Sequence, residues 1–241
     1  MQIFANRDVC NLTMQDFSSG DIVLNWPFAN VTTTGVTGES VFAYGGQGHP
    51  KRVTFYGEKG GTIAIETQMQ SAELFSFMSG AAIENTAQFL AREELQAKSG
   101  AITLTDSPIE GYVRVYKLDD DAGTPVECEV DDTSVTLSGE SSASNDKFIV
   151  YYMKEISTGV KKLNLKSTTF PKAVKIFAET YYKTSDDLVI PYKMIAYKAT
   201  PQLNFEIAFS NTGDPASITV TCDLLVDDDD NMLDMIIEEG A

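Results

Sequence analysis

The chain has only one histidine, His49, so any chemistry that needs an imidazole side chain depends on it. It stands beside Pro50 in a glycine-rich stretch, and any Ser-His-Asp or Cys-His arrangement would have to use it. No G-x-S-x-G elbow occurs, and none of the thiols lies in a recognisable nucleophile context; the three are Cys10, Cys128 and Cys222. We therefore predict no catalytic residue and interpret His49 as a loop histidine.

Carboxylates offer a second kind of chemistry. A glycosidase needs only two, and Glu66 and Glu206 lie in predicted strands that could face each other. The chain has 35 acidic residues, so some such pair is inevitable, and an acid on the polar side of a strand is usually solvated. Two acidic runs, at 119–121 and 227–230, fall at predicted turns and lack the D-x-[DN]-x-[DN]-G spacing of a calcium loop. Solvated turns are the favoured interpretation, with an adventitious cation site as the alternative.

Neither a metal site nor a cofactor site is predicted. There is no C-x-x-C and no second histidine, which argues against zinc. The stretch GGQGHPK at 45–51 departs from the phosphate-binding G-x-x-x-x-G-K-[ST] pattern and is not placed to open a helix. The odd number and wide spacing of the cysteines indicate reduced thiols, as expected for folding in a reducing cytoplasm.

The net charge narrows the choice of partners. With 18 basic and 35 acidic residues, the formal charge is -17. This charge argues against an ordinary nucleic-acid-binding protein and against docking on anionic lipid. No apolar run reaches ~18 residues and no signal peptide is visible, so no membrane segment is expected. Residues 161–200 hold eight lysines, and residues 222–241 hold eight acids and no base. They are interpreted either as solvated faces or as complementary patches on neighbouring copies, whose assembly would slow at high salt.

Alternation of apolar and polar residues dominates the chain and predicts β-strands. The clearest pair is 205–209 and 218–226, which flank a turn at 211–216 that contains Gly213 and Pro215. Further strands are predicted as hairpins, with a final strand at 232–237; the hairpins pair 53–57 with 61–69, 112–118 with 126–130, 133–139 with 147–153, and 173–183 with 188–198. The predicted fold is an all-β antiparallel sandwich or barrel of about ten to twelve strands.

Two helices and one long loop interrupt the strands. Ser71 is a suitable N-cap for a short helix closed by Gly80, and Asn85 with Gln88 resembles a capping box for a helix over 86–98. Residues 32–50 contain five glycines and predict a long Gly-rich loop. We expect one domain over 1–241, with 101–160 as a possible inserted or elaborated hairpin region.

Three stretches together resemble the tail tube (major tail) proteins of long-tailed bacteriophages. The segment 200–225, with its G-D-P turn, is similar to their closing hairpin. The segment 51–81 resembles their strand–strand–short-helix unit, and 135–152 resembles a hairpin common in phage virion proteins. The resemblance implies a β-sandwich subunit with a flanking helix, six of which form a ring whose inner sheets join around a lumen. Rings stack into a tube, and the chain is longer than the smallest members of the family.

The partners implied by the resemblance follow from such a tube. They are further copies of the chain, other tail proteins such as the tape measure, the terminator and a sheath, and double-stranded DNA that passes without specific binding. The location implied is the virion tail, assembled in the bacterial cytoplasm. Alternatives are another virion component (decoration, terminator or baseplate protein), a carbohydrate-binding sandwich module, or an enzyme.

The Gly-rich stretch 32–50 is predicted to be the arm that contacts the next ring. Tail tube proteins typically project a long loop from a similar position. Val41, Phe42 and Tyr44 would supply an apolar anchor. The alternative is a loop folded back on its own domain.

Overall fold

The computed structural model describes residues 3–138 and 146–238. Those residues form seventeen β-strands and one α-helix in antiparallel sheets, so the prediction of an all-β antiparallel fold is confirmed. The chain divides into two compact units, of which the first combines Met1–Ile83 with Leu163–Ala241 and the second is Glu84–Lys162. The second unit contains the region 101–160. That residues 1–241 form a single domain stays a prediction.

The elements follow one another along the chain, and the longest connection between two of them is 202–217. In order they are β1 (Phe4–Ala5), β2 (Asn11–Asp16), β3 (Ile22–Trp26), β4 (Val31–Tyr44), β5 (Lys51–Thr67), α1 (Ala72–Ser79), β6 (Ile83–Glu84), β7 (Ala87–Gln96), β8 (Ala101–Thr103), β9 (Val113–Lys117), β10 (Cys128–Asp131), β11 (Ser134–Leu137), β12 (Lys147–Ile156), β13 (Lys162–Leu163), β14 (Val174–Thr184), β15 (Val189–Pro201), β16 (Ile218–Leu225) and β17 (Leu233–Ile237).

A nine-stranded sheet forms most of the first unit. Its strand order is β3-β2-β14-β15-β16-β5-β4, with β1 paired to β14 and β17 paired to β15. The alternation that predicted β16 is visible in its burial, because every second side chain lies in the core; these are Ile218, Val220, Cys222 and Leu224. The predicted hairpin of 173–183 with 188–198 is confirmed as β14 and β15, and the final strand is confirmed as β17.

Helix α1 begins and ends where its capping residues predict. The Ser71 hydroxyl accepts a hydrogen bond from the Leu74 amide at 3.1 Å. At the other end, Gly80 adopts a left-handed φ of 72°, and its N–H donates to the Ser76 carbonyl. The buried face of the helix closes the core of the first unit with Leu74, Phe77 and Met78.

Two predicted hairpins of the first unit are wrong. Residues 53–57 and 61–69 do not flank a turn, because 51–67 form the single strand β5, which pairs along its length with β4. The predicted loop over 32–50 is therefore mostly strand, and only the turn at 45–50 matches the prediction. Gly35 and Gly38, the two glycines within β4, lie among Thr and Val residues, whose β-branched side chains favour strands. Residues 205–209 form no strand, and β16 pairs with β15 and β5 instead.

The second unit holds two small sheets, with strand orders β7-β12-β9 and β10-β11-β8. The helix predicted over 86–98 is wrong: this segment is β7, paired with β12 from Ala87↔Ile156 to Gln96↔Lys147. Its residues favour helices intrinsically, but pairing with a long buried strand outweighs that weak preference. The alternation typical of a strand is visible in the burial of the side chains and not in the residue types. Ala91, Glu93 and Leu95 are half-buried, whereas their neighbours are exposed.

Strand partners in the second unit also differ from the predicted hairpins. Strand β9 pairs with β12, and β10 pairs with β11, so 112–118 and 126–130 share only the bridge Val115↔Val126. Likewise 133–139 and 147–153 do not pair, since β11 lies between β10 and β8. The Ser-rich loop predicted at 140–146 lies, apart from Asp146, outside the described residues. Among the described helices, none is long and apolar enough to cross a bilayer.

Candidate assembly surfaces

His49 lies at the tip of the turn between β4 and β5, where its role is to shape the backbone. Its φ of 45° is left-handed, and its N–H donates to the Gly46 carbonyl at 3.2 Å. The turn is also held by Arg52, whose Nε donates to the Gly45 carbonyl at 3.0 Å. The prediction of a histidine in a loop therefore matches its position.

The cysteines are free thiols, and their surroundings disfavour the thiolate. Burial raises the pKa of Cys222 to about 12, and burial is also the main cause that raises the pKa values of Cys10 and Cys128. A nucleophilic cysteine needs the opposite shift, because the thiolate is the reactive form.

The acidic runs hold turns together. Asp121 accepts hydrogen bonds from Arg92 and from the Tyr151 hydroxyl, each at 2.9 Å. Asp227 accepts from the backbone amides of Asp229 and Asn231 at 3.0 and 2.8 Å. Within 3–138 and 146–238, no three His, Cys, Asp or Glu side chains come together as a metal site. Of the two acids weighed as a glycosidase pair, Glu66 is half-buried in β5, whereas Glu206 is exposed in the segment between β15 and β16.

The most distinctive surface is the outer half of the β4–β5 hairpin. Strand β5 pairs with β16 only as far as Gly61, which is opposite Val36 on β4. Beyond that point residues 37–60 form a two-stranded extension, here called the arm. At ~3.4 Å per residue, 37–44 extend it by roughly 25 Å.

A glycine is required where the arm leaves the sheet. A Cβ on Gly61 would lie 2.7 Å from the Gly35 carbonyl oxygen and 3.0 Å from Leu224. Two register shifts follow along the arm, between Gly38 and Ser40 and between Ala43 and Tyr44. Bulges of this kind bend and twist a strand pair, so the arm does not continue the sheet as a flat ribbon.

The arm is apolar and exposed on both faces. Val41 pairs with Phe55, so the two lie on the same face, and their exposures are 68% and 58%. Tyr56, on the opposite face, is 89% exposed. Lys51 covers part of that face, with its Nζ 3.6 Å from the centroid of the Phe42 ring. A contiguous apolar surface on a two-stranded element, which is only marginally stable alone, indicates a surface that is covered in use.

The sequence identified part of this surface and missed the rest. Val41, Phe42 and Tyr44 were predicted as an anchor, and they do lie on the arm. The half contributed by Val53, Phe55 and Tyr56 was not predicted, because 53–57 was interpreted as one strand of a short hairpin with 61–69. The sequence could have indicated this, because apolar residues lie on both faces of a strand over 53–56, with Val53 and Phe55 on one face and Tyr56 on the other. A strand with only one buried face would not show that pattern.

The lysines of 161–200 mostly find partners within the chain. Four form ion pairs, namely Lys162 with Glu84, Lys172 with Asp16, Lys183 with Asp187, and Lys193 with Glu238. Two more, Lys175 and Lys198, lie over aromatic rings. In the acidic stretch, Asp234 accepts a hydrogen bond from the Tyr197 hydroxyl at 2.7 Å. Of these four ion pairs, one, Lys193 with Glu238, joins the lysine-rich stretch to the acidic stretch 222–241, and complementarity between neighbouring copies stays a prediction.

The described residues combine antiparallel sheets that have open edges with an exposed apolar arm, and this combination fits a structural protein. The model of the YomU/Tube protein family matches residues 6–237. The chain belongs to the YomU/Tube protein family, and it is accordingly a phage tube-like structural protein. No curated protein matches the chain.

Proposed function

We propose that this chain is a tail tube subunit of a long-tailed phage, which assembles into hexameric rings that stack into the conduit for ejected double-stranded DNA. The observation that carries the proposal is the exposed apolar arm on a member of the Tube family. The chain uses its surface to bind copies of itself, and it performs no catalysis.

The arm is the element that contacts the next ring. Full burial of a large apolar side chain contributes ~1.5–3 kcal/mol, so covering Val41 and Phe55 would offset part of the cost of ordering a two-stranded extension. Exposed edges of the nine-stranded sheet supply contacts within the ring, and closing a ring removes such edges.

The remaining partners are other tail proteins, including a tape measure, a terminator and a sheath where one is present. Double-stranded DNA passes through the lumen without specific binding. The formal charge of -17 suits that passage, because an acidic surface repels the phosphate backbone.

Shortening the arm tests the proposal. Gly38 and Lys59 are directly opposite, so replacing 39–58 by Asn-Gly leaves a two-residue hairpin turn at the base. We expect this variant to keep the circular dichroism and the urea unfolding midpoint of the intact chain. It should form no tubes in negative-stain micrographs under conditions in which the intact chain does.

A point variant localises the contact. Phe55→Asp places a charge on the exposed Val41–Phe55 face and should block tube growth, whereas Phe89→Asp makes the same change at an exposed position of β7, outside the arm, and should retain it. Normal tubes from both the shortened chain and Phe55→Asp would refute the role of the arm. A purified chain that stays monomeric and is stabilised thermally by sugars would instead support a carbohydrate-binding module.

A further inference from the structure

The segment 203–209 has the sequence of a strand but has no strand partner among the described residues. Leu203, Phe205, Ile207 and Phe209 alternate with Asn204, Glu206 and Ala208, which is the period-two pattern of a half-buried strand. Yet 202–217 contain no strand, and the last sheet-like contact is the Gln202 amide donating to the Thr221 carbonyl at 2.8 Å. No backbone hydrogen bond to 203–209 occurs among the described residues.

The apolar side of this segment is open to solvent. Phe209 is 92% exposed, the largest exposure of any apolar side chain in the described part of the chain, and Leu203 and Ile207 are also exposed. Phe205 alone packs against the core of the first unit and so anchors the segment. Unpaired backbone groups beside unburied apolar side chains are what a strand leaves when its partner is missing.

Strand β17 is the acceptor that the nine-stranded sheet offers. The other edges of this sheet carry features that discourage pairing: β3 has a register shift opposite Met14/Gln15 and is followed by Pro27, β4 has two bulges, and β1 is only two residues long. Strand β17 pairs with β15 without a shift, from Tyr192↔Ile237 to Ala196↔Leu233, and β15 is its only partner among the described strands. Met235 on β17 is 67% exposed, and Ile236 and Ile237 are also exposed.

We propose that 203–209 become a strand by pairing with β17 of a second copy of this chain. A donor segment and an acceptor edge on the same subunit form a head-to-tail contact, which closes into a ring when the rotation between copies allows it. The segment 203–209 has only one charged residue, Glu206, so pairing desolvates little charge in a chain that is otherwise strongly acidic. The inference rests on the proposed function, because it takes assembly from identical copies as its setting.

Hydrogen exchange of the intact chain, compared between dispersed subunits and assembled tubes, measures the pairing directly. We expect the amides of 203–209 to exchange freely in the dispersed protein and at least about tenfold more slowly in the assembly. Amides of β17 on the side not bonded to β15 should slow in parallel. Protection confined to the arm, with none at 203–209, would overturn the inference and leave the proposed function standing.

A proline scan of the same connection supplies the mutational test. Ile207→Pro removes a donor that is unbonded in the single chain, so the dispersed subunit should keep its unfolding midpoint but form no rings. The matched control Asn211→Pro lies in the same connection outside the predicted strand and should assemble. If Ile207→Pro assembles like the intact chain, the segment is not the donor. If the intact chain itself forms neither rings nor tubes under any condition, the proposed function fails, and this inference fails with it.

Discussion

Gly80 occupies a position where backbone angle and available space both exclude a side chain. Its φ is 72°, and an added Cβ would lie 2.3 Å from the Phe170 carbonyl oxygen. We expect Gly80→Ala to lower the free energy of unfolding by more than the ~1–2 kcal/mol that the left-handed conformation alone costs. Urea denaturation of the dispersed subunit measures the loss.

Gly213→Ala is the control for that comparison. Its φ of 85° carries a similar backbone cost, but nothing lies within 4 Å of the position of its Cβ. The difference between the two variants therefore reports the contact with Phe170. Equal losses would mean that α1 shifts freely enough to accept a side chain there.

The buried Tyr152 makes the stability of the second unit depend on pH in alkaline solution. Its hydroxyl donates to Glu93 Oε1 at 2.6 Å, and burial, together with this carboxylate, raises the pKa of Tyr152 from 10.0 to about 12. Because the folded-state pKa is raised, the stabilisation is complete below pH 10 and is lost as the pH rises from 10 towards 12.

Ultraviolet titration of tyrosinate formation tests this shift. Tyr152→Phe should remove one ionisation near pH 12 from the folded protein. The stability difference between the two proteins should shrink over the same interval. Loss of an ionisation near pH 10 instead would place Tyr152 in solvent.

At the residue scale, the sequence predicted correctly those features that depend on only a few neighbouring residues. Ser71 and Gly80 were assigned correctly because a cap depends on its own few residues. The Tyr152–Glu93 contact could not be predicted, because it joins residues from two strands, one of which looked like a helix. Its carboxylate lies on the inner side of β7 only because β12 sets the register.

At the scale of elements, the prediction of a hairpin was correct only where the two strands are neighbours both in the sequence and in the sheet. The β14–β15 hairpin was predictable because a tight turn joins strands that are also neighbours in the sheet. The hairpin of 205–209 with 218–226 failed because β16 has two other partners, β15 and β5, that are distant in sequence. The pattern at 205–209 is strand-like, but the segment forms no strand and has no strand partner among the described residues.

The arm also shows that strand pairing can outweigh the local preferences of the residues. Its glycines predicted a loop, whereas the pairing of β4 with β5 makes most of the stretch a strand. Val41 and Tyr44, predicted as part of an apolar anchor, are exposed on the arm, and their role as an anchor stays a prediction. The arm projects beyond the sheet because β16 stops pairing with β5 at Leu224. The residues of the arm do not determine that boundary, so their sequence could not predict it.

At the scale of the whole molecule, net charge and internal pairing together set the response to salt. Complementary patches alone would make assembly slow as salt rises. However, the lysines of 161–200 are mostly engaged inside the subunit, for example Lys193 with Glu238, while the formal charge stays at -17. Like-charged subunits repel over ~30 Å at 0.01 M salt and ~10 Å at 0.1 M.

We therefore expect assembly to accelerate when sodium chloride is raised from ~0.01 to ~0.1 M, because screening of repulsion outweighs loss of attraction. Light scattering of the dispersed subunit after mixing follows the rate, and chloride is used because sulfate also strengthens apolar burial. Asp228→Asn with Asp229→Asn, at exposed positions in the turn before β17, should raise the low-salt rate and flatten the salt dependence. Slower assembly with added salt would show instead that complementary patches on neighbouring copies govern association.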